Sequence, residues 1–100
     1  MSNNKIRRQE NKEISSDIAL HPGDIITDEL DARDILKSTF AEQLGMKPSH
    51  FSKLLNGNRN VNAATAIKLE DLLSIKAEYW LRVQVYYDLF MERNKQMSLV

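Results

Sequence analysis

Residues 35–55 hold two short runs with apolar residues at helical spacing, parted by a single glycine, and this constrains the fold more than any other feature. Phe40, Ala41 and Leu44 share one face of the first run, with Ile35 and Leu36 at its start; Phe51, Leu54 and Leu55 share a face of the second. Gly45 falls where a helix that ends in a left-handed residue needs it. Pro48 suits the first position of the next helix, and Lys47 before it is biased to extended backbone. Isolated helices shorter than about 12 residues are marginal in water, so each run must be covered by the other and by the rest of the chain. Ala41 lies where the two must approach closely, and a bulky side chain there would push them apart.

The remaining chain supplies the cover. His21-Pro22-Gly23 punctuates it, and Ile25, Ile26 and Leu30 follow at helical spacing to a helix end near Ala32, with Asp24 and Asp28 at the positive N-terminal end. The second helix is expected over 35–44 and the third from Pro48 to the stop at Asn56-Gly57. Asn62 is a good N-cap for a fourth, with Ala66, Ile67, Leu69, Leu72 and Leu73 as its apolar face. A fifth runs from about Ala77 to Arg93. No segment alternates as a strand does, and two prolines and three glycines are too little punctuation for a sandwich of short strands. The expectation is therefore an all-α, five-helix domain over residues 21–94, a flexible N-terminal arm over 1–20 and a frayed tail over 95–100. Zero cysteines exclude disulfides, thiol chemistry and a Cys-based zinc site. No stretch nears the roughly 20 consecutive apolar residues of a membrane span, and no apolar leader opens the chain, so a cytoplasmic location without membrane contact is expected.

The formal net charge is zero, which taken alone argues against a polyanionic partner. Its distribution argues otherwise. Residues 21–34 set Arg33 against Asp24, Asp28, Glu29, Asp31 and Asp34, whereas residues 35–62 set Lys37, Lys47, Lys53 and Arg59 against Glu42 alone. An acidic block thus stands beside a basic one, and the local field governs polyanion binding more than the sum does.

Two short helices joined at a glycine corner form a helix-turn-helix, whose second helix suits the major groove of DNA. The outward face of the third helix then comprises Ser49, His50, Ser52 and Lys53; Ser49 and Lys53 stack four apart, and Lys53 can donate to guanine O6 and N7. Lys37, Asn58 and Arg59 are placed to touch backbone phosphates. An ordinary helical hairpin with solvated polar residues outside remains the alternative on pattern alone.

HPGDIITDEL, FAEQLGMKPSHFSKLLNGNRNVNAATAIKLEDLL and AEYWLRVQVYYDL, in this order from His21 to about Leu89, closely resemble the VapI/HigA branch of antitoxins in the Xre/Cro-type (lambda-repressor-like) helix-turn-helix superfamily. The resemblance implies dimeric binding to double-stranded operator DNA, repression of the protein's own operon, and neutralisation of a HigB-like toxin, a ribosome-dependent mRNA endonuclease. It places base reading on Ser49 and Lys53, with Lys47, Pro48, His50 and Ser52 near the groove, and phosphate contact on Lys37, Asn58 and Arg59. The sequence departs from the pattern at two places, the start of each helix of the pair. Leu36 and Lys37 stand where many relatives have Ser then Gln, and Lys47 stands where many have Ser or Thr. Each change forfeits a side-chain cap of about 1 kcal/mol, and the lysines add positive charge toward phosphate. A stand-alone regulator without a toxin, or an interaction module that kept the fold without binding DNA, would share these motifs.

On a wheel of 100° per residue, Tyr79, Trp80, Val83, Tyr86, Tyr87, Phe90 and Met91 fill an arc of about 140°, enough to cover a domain core. Leu81, Val85 and Leu89 form a separate ridge bordered by Arg82 and Asp88 and are expected to pack across a homodimer two-fold. The chain's own arm or tail is the alternative cover for that ridge. His21 and His50 lack a second ligand at metal spacing and read as surface or capping residues. Neither a Gly-rich phosphate loop nor a nucleophile with its base is present, so neither enzymatic activity nor a metal or other cofactor is expected.

Overall fold

A computed structural model describes residues 19–98, which form five helices: α1 (Pro22–Ala32), α2 (Lys37–Leu44), α3 (Pro48–Leu55), α4 (Ala63–Leu73) and α5 (Ala77–Ser98). The expected arm lies outside the described residues up to position 18, as do the last two residues of the expected tail. α1 rests on α3, α4 on α5, and α2 is wedged against both α3 and α4. The core they enclose includes Ile26, Leu30, Phe40, Leu44, Leu54, Leu69 and Trp80. Among the described residues, no helix is long and apolar enough to cross a membrane.

α1 starts in a reciprocal cap. The His21 Nδ1 accepts from the Gly23 N–H at 2.9 Å, and Asp24 accepts from the His21 N–H at 3.1 Å. Gly23 is needed for its lack of a side chain, since a Cβ there would collide with the Leu54 carbonyl oxygen at the end of α3. α1 can therefore approach α3 backbone to backbone. Asp34 then adopts φ of 56° and the Ile35 N–H returns to the Leu30 carbonyl at 2.9 Å. This fold-back holds Ile35 and Leu36 out of α2, so that helix begins at Lys37, not at 35.

Three further expectations are corrected. α5 does not end near Arg93: nothing in Asn94–Ser98 breaks a helix, Gln96 donates to Glu92 one turn back at 3.1 Å, and the tail is helical to Ser98. Ile67 is exposed, because α4 turns Ala66, Leu69 and Leu73 inward instead. The wide aromatic arc of α5 is not all core. Trp80 is fully buried and Val83, Tyr87 and Phe90 partly so, but Tyr79 and Met91 are exposed and Tyr86 retains 65% exposure. Length explains only the far end, where every residue from Met91 to Met97 is exposed. Tyr79 and Tyr86 lie level with Trp80 and Tyr87, which pack on the body, and line an open apolar groove instead.

Candidate nucleic-acid interface

The corner between α2 and α3 closes as a Schellman arrangement: Gly45, at φ 71°, donates to the Glu42 carbonyl and Met46 donates to that of Ala41. The Leu44 carbonyl left over by α2 accepts from Lys68 Nζ of α4 at 3.1 Å. Ala41 is buried, and the Phe40 and Phe51 rings meet at 5.9 Å between centroids. Neither Leu36 nor Lys47, the N-caps of α2 and α3, makes a side-chain cap bond. The two places where the chain departs from the family pattern thus leave both helix starts uncapped.

With Phe51 and Leu54 turned inward, the rest of α3 is sorted by its wheel. Ser49 and Lys53 stand exposed at the centre of the outer face. Pro48 and Ser52 lie on the α2 side, where they share a notch with Lys37 and Asn56. His50 lies on the α4 side, half-buried, in a cleft it shares with Lys47, Arg59 and Lys68. The nine residues that the sequence places at DNA therefore occupy one side of the molecule in three groups, with Asn58 exposed just beyond α3 and its N–H bonded to the Lys53 carbonyl. Partial burial, together with the charges of Arg59, Lys47 and Lys53, holds His50 below the usual histidine range. That places His50 in a positive field.

On α5, Val85 and Leu89 are exposed, whereas Leu81 is half-buried against the protein's own core. Beside them an apolar groove of about 670 Å3 is lined by Tyr79, Val83, Tyr86, Leu89, Phe90 and Met97, among others.

Two polar residues carry structural weight that the sequence reading did not assign. Gln84 is buried; its Oε1 accepts from the Val61 N–H at 2.8 Å, and its Nε2 donates to Asn60 and Asp88. It ties the loop between α3 and α4 to α5. The i, i+4 run Trp80–Gln84–Asp88 was the available sign, since it puts the amide on the same face as the buried Trp80. His21 is a capping residue as expected, but a buried one, edge-on to Tyr87 with ring centroids 4.7 Å apart. Burial lowers its pKa, against the opposing pull of Asp24 and Asp88. No group of three or more His, Cys, Asp or Glu residues among those described could hold a metal ion.

A helix-turn-helix family pattern (HTH_3) matches residues 28–80, from within α1 to the start of α5. The chain belongs to that family, in its Xre-like form, which is a family of DNA-binding antitoxins and regulators and not of enzymes. Virulence-associated protein I of Dichelobacter nodosus is 34% identical over 82 residues, which cover 81% of this chain and 76% of that protein. Among solved structures, an addiction-module antidote protein of the HigA family from Coxiella burnetii superposes with a TM-score of 0.73 at 31% identity, covering 79% of this chain and 87% of its own. The Pseudomonas aeruginosa antitoxin HigA, solved with the higBA promoter, gives 0.70 at 27% identity, with 80% and 91% covered. The fold is thus an antitoxin-type, DNA-binding helix-turn-helix.

Proposed function

We propose that the protein is a cytoplasmic antitoxin that binds an operator in its own promoter as a homodimer, represses its operon and neutralises a HigB-like mRNA endonuclease. The observation that carries the DNA reading is the exposed pair Ser49 and Lys53 at the front of α3, with cationic side chains at both edges of that helix. Ser49 and Lys53 read bases, with Lys47, Pro48, His50 and Ser52 at the groove, while Lys37, Asn58 and Arg59 hold phosphates. The P. aeruginosa relative with its promoter supports the operator assignment. The acidic surface of α1 and the turn after it, where Asp28, Asp31 and Asp34 are exposed, suits a basic toxin, since such complementarity speeds encounter.

The test is binding to the duplex upstream of the gene. Lys53→Ala should cost about 1–3 kcal/mol, and only at particular base pairs, whereas Arg59→Ala should weaken all sequences alike. Equal losses on specific and random duplex for both variants would contradict this division, and no shift of wild type at low salt would favour the interaction-only reading. Dimerisation is assigned to the ridge of Leu81, Val85 and Leu89 on α5, of which Val85 and Leu89 are exposed and Leu81 half-buried. Val85→Glu should give a monomer by light scattering, and a dimer that survives it would refute the assignment.

A further inference from the structure

The cleft on the α4 side of α3 has a volume of about 310 Å3 and is walled by the end of α2, the first turn of α3 and the first half of α4. Lys47, His50, Arg59 and Lys68 line it, together with Asn62 and Thr65, and no carboxylate does. None of its cations has an ion-pair partner among the described residues. The Asn62 Oδ1 is spent on capping α4, where it accepts from the Thr65 N–H at 2.9 Å, so the cleft's free groups are chiefly donors: its positive side chains, the Asn62 amide N–H groups and the Thr65 hydroxyl. Lys68 is held in position by one bond to the Leu44 carbonyl, which leaves two ammonium N–H groups to donate elsewhere. A concave, cationic site with no anion of its own, opening beside a helix that faces DNA, suits a phosphodiester.

We propose that this cleft seats one backbone phosphate of the bound duplex, with Lys68 and His50 as its ligands beside Lys47 and Arg59. The inference rests on the DNA-binding reading and extends it. Lys37 in the notch on the opposite side of α3 and Lys68 in this cleft then straddle the groove-facing helix. A phosphate would set an anion among the like charges that now face His50 (Lys53 on its own helix, Lys47 before it, Arg59 in the following loop and Lys68 on α4) and so offset them. His50 should accordingly take up a proton when the duplex binds.

The full-length protein and a duplex of arbitrary sequence suffice, because phosphate contacts carry no sequence information. Anisotropy titrations from about 50 to about 200 mM salt give the slope of log affinity against log salt, which is about 0.9 per phosphate neutralised. Lys68→Met should weaken binding and flatten that slope by about 0.9, so that wild type loses about 3.5-fold more affinity over the fourfold rise than the variant does. Lys68→Arg should restore the slope. If Lys68 served only to close α2, the Met variant would melt earlier with its slope unchanged, and that result would overturn the proposal. Wild-type affinity should also rise as pH is lowered from about 7.5 to about 5.5, and His50→Gln should abolish the rise. Protonation of buried His21 would weaken the fold and act in the opposite direction, so it cannot mimic this. A pH-independent wild type would overturn the role of His50. Wild type that binds no duplex at low salt would overturn the DNA reading as well, whereas binding indifferent to Lys68 and His50 would overturn the cleft alone.

Discussion

Between α2 and α3 the buried side chains are apolar, Phe40, Ala41, Leu44, Phe51 and Leu54, and both helices start without a side-chain cap. Where α1, the α3–α4 loop and α5 meet, the buried side chains include His21 and Gln84, each bonded to backbone of another residue. The first region holds its shape by close contact and leaves Lys37, Lys47, Ser49, Ser52 and Lys53 exposed. The second commits its polar groups internally, except for the His21 Nε2, which is buried without a hydrogen-bond partner among the described residues. A polar group already bonded inside the protein adds rigidity, and one left in solvent is available to a ligand. Substitutions in the seam should therefore cost stability without altering DNA preference, and those on the outer face of the helix-turn-helix should do the reverse.

The largest effect on this contrast is expected from Gln84→Leu. It fills similar space but leaves the buried Val61 N–H without its acceptor, and an orphaned buried donor costs about 1–3 kcal/mol. Denaturant unfolding should record that loss, while salt slope and base preference of the folded variant stay at wild-type values. A change in base preference would show that the loop carrying Asn58 and Arg59 is set by this one amide, and would break the separation between the two regions.

A smaller effect in the same seam depends on pH. The His21 Nδ1 accepts from the Gly23 N–H, so protonation there would turn an acceptor into a donor facing a donor. Burial lowers the folded pKa below the ordinary histidine value of 6.5, so the unfolded chain binds the proton more readily. His21 then contributes stability that is fully present above pH 6.5 and declines as pH falls from 6.5 through the lower folded value. Denaturant midpoints should drop across that window for wild type. They should stay level for His21→Asn, which keeps a cap acceptor but cannot titrate there. An equal drop in both proteins would assign the effect elsewhere.

Much of this architecture was legible in residue order alone. Pro22, Gly45, Pro48 and Asn62 are strong local signals: α1, α3 and α4 begin, and α2 ends, where those signals put them. A wheel, however, tells which residues share a face and not what covers that face. Tyr79, Tyr86 and Met91 sit on the arc of α5 that includes Trp80, yet they are exposed: Met91 lies past the body of the protein, and Tyr79 and Tyr86 line a groove that no other described helix fills. By residue type alone His50 belongs with Ser49, Ser52 and Lys53, since all four are polar. Only the position of α4 separates it from them and makes it a neighbour of Lys68, which lies 18 positions later in the chain. Gln84 is the converse: amid aromatics a glutamine reads as solvent-facing, and only its i, i+4 spacing to Trp80 signals the buried carbonyl that the α3–α4 loop uses.

The smallest effect concerns the two empty caps and sharpens the comparison most. Leu36 has the extended backbone of an N-cap, φ −70° and ψ 138°, and is 71% exposed, so Leu36→Ser should add a cap bond at little loss of packing. It should raise stability by about 1 kcal/mol and leave duplex binding unchanged. Lys47 has almost the same geometry, φ −62° and ψ 146°, and Lys47→Ser should bring a similar gain in stability. There the gain should come with weaker binding and a shallower salt slope, because the lysine lines the cleft with Arg59 and Lys68. Two substitutions of one kind, at equivalent points of neighbouring helices, should thus diverge in binding alone. If both left the salt slope unchanged, the charge at position 47 would be ordinary solvated charge, and the missing cap would have no functional return.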